Sequence, residues 1–136
     1  MKYFVLFAML FSFQTVFAQE EKSELALEMQ VIGGEFRTIA LALRSQKMTT
    51  TEVDASKKMQ RAIANASLLF PENADTDELK LQYAVWMAEL MKKSLALEDA
   101  ITVQLAATPQ VLADINQIFN EMNDLRKQGH GQFKTN

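Results

Sequence analysis

Apolar residues recur at helical spacing over four stretches of this chain. Across residues 24–47, Leu25, Met29, Ile32, Phe36, Ile39 and Leu43 step by four, three, four, three and four, which lines them along one side of an α-helix. Ser23 stands before this run as an N-cap, and Glu24 suits the positive end of a helix. Residues 51–69 carry a weaker stripe of Val53, Ser56, Met59, Ile63, Ala66 and Phe70. Thr49 or Thr50 can cap that segment, Glu52 and Asp54 suit its start, and Pro71 stops it. Residues 77–104 place Leu79, Tyr83, Trp86, Leu90, Leu97 and Ile101 on one side. Thr108-Pro109, a hydroxyl cap followed by proline at the first helical position, marks the start of a fourth segment reaching Phe133. Its apolar side is Leu112, Ile115, Phe119, Met122 and Leu125.

Strand-like alternation is absent, and four glycines and two prolines leave little punctuation for a β protein. Four helices of similar length with short connections predict an all-α fold, an antiparallel up-down-up-down four-helix bundle.

Residues 1–18 stand outside this pattern. Met1-Lys2 is a short positive start, and Tyr3 to Phe17 is apolar except for Ser12, Gln14 and Thr15. Val16 and Ala18 occupy the −3 and −1 positions of a signal-peptidase site. The run is short for a bilayer and leads directly into Glu20-Glu21. The expectation is a cleaved signal peptide over 1–18 and a single bundle domain over 19–136, which is 136 − 18 = 118 residues with one core. Such a chain is expected to be exported and, after cleavage, free of the membrane.

All 17 acidic residues and 13 of the 14 basic ones follow Ala18, so the mature charge is 13 − 17 = −4. That mild acidity argues against nucleic acid as a partner. With no cysteine, an exported protein must be held by its core alone, or by its core plus a bound ligand.

The candidate chemistry centres on the one histidine. His130 is flanked by Gly129 and Gly131, each costing on the order of 1 kcal/mol of helix stability relative to alanine. It lies eleven positions beyond Phe119 and eighteen beyond Leu112, within about 20° of both on a helical wheel, and so is expected to face the core. In an up-down-up-down bundle the first helix begins where the last one ends. Met29 and His130 then lie level, roughly 6–9 Å from that shared end. Gly33, four residues after Met29, shares its face. A thioether and an imidazole facing each other, each with glycine beside it, could hold a haem iron, and the glycines would give a flat ring clearance. The ordinary alternatives are core packing for Met29 and a fraying helix end for His130.

These residues resemble the soluble four-helix-bundle cytochromes, the cytochrome b562 and cytochrome c-prime family. Met29-x-x-Ile32-Gly33-x-x-Phe36 is similar to the family's first-helix signature, and Arg126-x-x-x-His130-x-x-Phe133-Lys134 to its last-helix signature. The resemblance implies a haem between the axial ligands Met29 and His130, and single-electron transfer to an unidentified redox partner protein rather than enzymatic turnover. The covalent members need cysteines four and one positions before the histidine. Here those positions are Arg126 and Gly129, so the resemblance points to a b-type member with non-covalent protohaem (haem b). Arg126 then either meets a haem propionate or is a solvated helix-end charge. Phe133 or Trp86 would fill the room left by Gly129, and Trp86 and Tyr83 are candidates for an aromatic wall.

Two other readings stay open. One is an exported helical bundle without cofactor that binds another protein. The other is a haem protein with an open iron site, in which Met29 does not bind. The sequence also leaves a homodimer open. One histidine and no cysteine provide no catalytic triad and exclude the paired Glu-x-x-His pattern of di-iron bundles, and no glycine-rich phosphate loop is present.

Overall fold

The computed structural model describes residues 22–133; the expected signal peptide and Lys134 lie outside them. The described chain forms four α-helices, α1 (Glu24–Arg44), α2 (Thr50–Ala66), α3 (Asp77–Leu105) and α4 (Ala113–Gln132), with no strand among the described residues. None of these helices is long and apolar enough to cross a membrane.

The first three helices start where side chains satisfy free backbone donors. Ser23 Oγ accepts from Ala26 N–H at 3.1 Å. Thr49 and Glu52 form a reciprocal capping box, the Glu52 carboxylate accepting from Thr49 N–H at 2.7 Å. Thr76 Oγ1 accepts from Leu79 N–H at 3.1 Å. α2 stops at Ala66, before the expected residue 69, because Leu68 and Leu69 N–H bond the carbonyls of Asn65 and Ala66 in tight final turns. Phe70, expected on the inner stripe, is therefore exposed, with its ring edge toward Tyr83 at 5.9 Å.

The last helix begins at Ala113, not at Thr108-Pro109. The intervening residues are committed to other partners. The Gln110 side chain accepts from Met48 N–H at 2.8 Å and donates to Met48 C=O at 3.0 Å, and Val111 N–H donates to Gln104 Oε1 at 2.8 Å. These bonds strap the α3–α4 connection onto the α1–α2 loop instead of opening a helix.

The core follows the periodicity. Ile32 and Ile39 from α1, Met59 and Ile63 from α2, Leu90, Leu97 and Ile101 from α3, and Ile115 and Met122 from α4 are all buried. Each such side chain stabilises the fold by about 1.5–3 kcal/mol relative to exposure. Cross-helix contacts pair rising with falling residue numbers: Ala66 with Tyr83 and Gln60 with Glu98 between α2 and α3; Gln82 with Gln132, Trp86 with Leu125 and Lys93 with Glu121 between α3 and α4. Neighbours in chain order thus run antiparallel. Backbones approach closely along α1/α2, α2/α3 and α3/α4, but scarcely along α1/α4. Side chains bridge that last seam.

Candidate functional site

The last turns of α4 look onto two different seams. Toward α3, Gly129 is buried and meets the Trp86 indole face: a Cβ built on Gly129 would lie 1.8 Å from an indole carbon. Only hydrogen fits there. The indole is pinned by its Nε1–H, which donates to Leu125 C=O at 2.7 Å, and by Phe133, stacked at 5.8 Å between ring centroids. Tyr83 closes the cluster, edge-on to Phe133 at 5.2 Å and donating its hydroxyl hydrogen to Ala66 C=O at 2.7 Å. Burial pushes the Tyr83 hydroxyl up to about 12. The room beside Gly129 is thus filled by Trp86, one of the two side chains expected there, and not by a ligand ring. Gly131 faces open space.

Toward α1 the arrangement differs. Phe119 stacks on Phe36 across the seam, centroids 4.0 Å apart and planes 11° from parallel. The Arg126 guanidinium lies over the other part of this floor, 4.4 Å from the Phe36 centroid. Arg126 is half-buried, and loss of water holds its pKa below the ordinary arginine value. It has no hydrogen bond or ion pair among the described residues. The solvated helix-end reading of Arg126 is therefore replaced by a cation drawn into the seam without a counter-ion. Gly33 faces it: a Cβ there would sit 3.7 Å from Arg126 Nη2.

α1 and α4 run antiparallel, so Met29, four residues before Gly33, and His130, four residues after Arg126, lie toward the same end of the bundle. Met29 is half-buried against the core. On α1 it lies between Phe36 and Gly33, about 20° and 40° from them, so it is turned toward α4.

His130 is exposed to solvent, and the expectation that it faces the core is corrected. The wheel arithmetic linking it to Phe119 holds, but Phe119 is itself only half-buried, at the seam. His130 lies about 100° around α4 from Gly129, past Arg126 and away from α3. The α1 backbone stands too far off to cover it.

No family model, curated protein or solved structure matches this chain.

The candidate site is therefore the α1/α4 seam, with Gly33 flattening one wall, Phe36 and Phe119 as an aromatic floor, Arg126 as an unpaired cation, Met29 half-buried on α1 and His130 exposed near the end of α4. Among the described residues no cluster of three or more His, Cys, Asp or Glu could hold a bare metal ion. A thioether and an imidazole are instead the donors that suit an iron already held in four equatorial positions. Trp86 and Phe133 belong to the neighbouring seam and support α4 from behind. The Phe36–Phe119 stack was missed at the sequence level. Its signal was an aromatic residue on the inner stripe of each terminal helix.

Proposed function

We propose that this chain is an exported b-type cytochrome: a cleaved signal peptide over 1–18, then an up-down-up-down bundle over 19–136 holding one non-covalent haem b between α1 and α4. Met29 and His130 are the axial ligands, and the protein passes single electrons to a partner in the periplasm. The observation supporting this most is that Met29 and His130 lie toward the same end of the seam whose backbones stand apart, with the unpaired Arg126 between Phe36 and Gly33 beside them.

In this reading the chain supplies position and electrostatics. Met29 offers a neutral sulfur and His130 a neutral ring nitrogen, so ligation adds no protein charge to the iron. Gly33 leaves the α1 wall without a side chain beside Met29. Arg126, desolvated and unpaired, neutralises a propionate, an interaction stronger in this half-buried place than in water. Phe36 and Phe119 keep water from the inner edge. Met29 and His130 would hold the iron, and the haem would supply one-electron redox chemistry there.

The test is titration of the purified protein with haem, followed in the visible spectrum in oxidised and reduced forms. Sharp low-spin α and β bands are expected at one haem per chain. His130→Ala should abolish them and Met29→Ala should change the spin state. The melting temperature should rise with haem, because a ligand of the native state adds to folding free energy.

A second reading, a haem-free bundle that binds another protein, is favoured by the solvent exposure of His130 and by the filling of the Gly129 clearance by Trp86. It predicts a colourless protein whose melting temperature is unchanged by haem.

A further inference from the structure

α3 carries two seams. The buried one runs through Tyr83, Met87, Leu90, Ser94, Leu97 and Ile101, stepping four, three, four, three and four. Two residues out of phase, about 200° around the helix, a second series runs through Leu81, Val85, Ala88, Lys92, Leu95, Asp99 and Thr102 with steps of four, three, four, three, four and three. Every member of it is exposed, as is the adjoining Val103. Leu81, Val85, Leu95 and Val103 remain between 48% and 68% exposed. Scattered surface leucines need no explanation; a complete heptad seam of seven positions facing solvent does.

We infer that this face of α3 is a homodimer interface, in which two copies of the chain pair their α3 helices antiparallel about a two-fold axis. The charges select a second copy as the occupant. Lys92 and Asp99 are the only charged members of the series, of opposite sign and one heptad apart, and neither has an ion pair or hydrogen bond within its own chain among the described residues. Place the axis beside the Lys93–Ser94 step. Lys92 then packs opposite the partner's Leu95, Asp99 opposite the partner's Ala88, and Val85 opposite the partner's Thr102. Each Lys92 ammonium has the partner's Asp99 about 6 Å along the helix, within lysine's reach, and the symmetry makes two such pairs. A patch that complements itself in this way is what a two-fold interface requires.

From Leu81 to Val103 the strip is about 33 Å long, and across a helix about 10 Å wide it covers about 330 Å² on each partner, about 660 Å² over both, the size of a weak, reversible contact. Ala84, Ala88 and Ala96 along it are small enough to let two backbones approach. The inference is independent of haem, since this face lies on the opposite side of α3 from the core.

Sedimentation equilibrium of the purified protein across the micromolar range tests it, with and without haem. A reversible dimer of twice the chain mass is expected. Leu95→Glu should give a monomer with unchanged helical circular dichroism. Lys92→Asp or Asp99→Lys alone should weaken the dimer about tenfold or more through like-charge juxtaposition. The double swap, Lys92→Asp with Asp99→Lys, should restore it. A monomer at all concentrations overturns the inference. So does a dimer indifferent to the charge swaps, or one lost instead on substituting the exposed α1 residues Leu27 and Val31.

Discussion

The two flanks of α4 make different use of the same few residues. Toward α3, a glycine, an indole, a phenyl ring and a phenol interlock with every polar atom paired: Trp86 Nε1–H to Leu125 and Tyr83 OH to Ala66. Toward α1, the backbones stand apart, a guanidinium lies half-buried without a counter-ion, and the chain's one imidazole reaches solvent. One flank is finished by its own side chains; the other carries unspent donors and a cation. Helix α4 thus has one flank closed by its own side chains and one looser flank, and of its two late glycines Gly129 lies in the closed flank while Gly131 faces open space.

The largest effect should come from dismantling the closed flank. Trp86→Ala removes the indole, its stack on Phe133 and its bond to Leu125, and should cost about 3–5 kcal/mol in urea denaturation. Gly129→Ala should cost about 1–3 kcal/mol, because a methyl group 1.8 Å from an indole carbon must push the ring off its place. Retention of full stability by Gly129→Ala would mean that Trp86 is not seated there.

A pH series probes the same flank. Tyr83 has its hydroxyl pKa raised to about 12 by burial, against an ordinary value near 10. For an acid whose folded pKa is raised, its contribution is complete below the unfolded pKa and is lost as pH rises toward the folded one. Urea midpoints should therefore fall between about pH 10 and pH 12, and Tyr83→Phe should flatten that fall. The smallest effect has the opposite sign. Gly131 is helical, has no positive φ and faces open space, so Gly131→Ala should stabilise by about 0.5–1 kcal/mol. Opposite signs for Gly129→Ala and Gly131→Ala are the sharpest form of the contrast.

Most of the helical content was legible because it rests on local signals. Ser23 and Thr49 mark their helix starts through short-range bonds, and the inner stripes of all four helices are largely those expected. The start of α4 was not legible, since what overrides Thr108-Pro109 is the tertiary bond pair between Gln110 and Met48. Antiparallel order follows from the helix sequence alone and puts Met29 and His130 toward one end of the bundle, but the orientation of His130, which is exposed, was not legible. A helical wheel cannot tell which of two neighbours a flank of α4 will touch, nor that α1 and α4 stand apart. The partner of Gly129 was expected only as one of two aromatic residues, because a glycine's neighbour leaves no periodicity in the sequence.

The central claim is that the α1/α4 seam is the open one and takes the haem, while the Trp86 seam stays shut. The chain has one tryptophan, so its indole N–H gives a single resolved proton signal that reports directly on the bond to Leu125. Proton–nitrogen correlation spectra of the protein, with and without reduced diamagnetic haem, read both seams at once. The account predicts large ring-current shifts at Gly33, Phe36, Phe119 and His130, with the indole proton still present and slow to exchange. Loss or rapid exchange of that proton, with shifts centred on Gly129 and Trp86, would contradict it by putting the ring in the seam described here as closed; so would spectra that haem leaves unchanged.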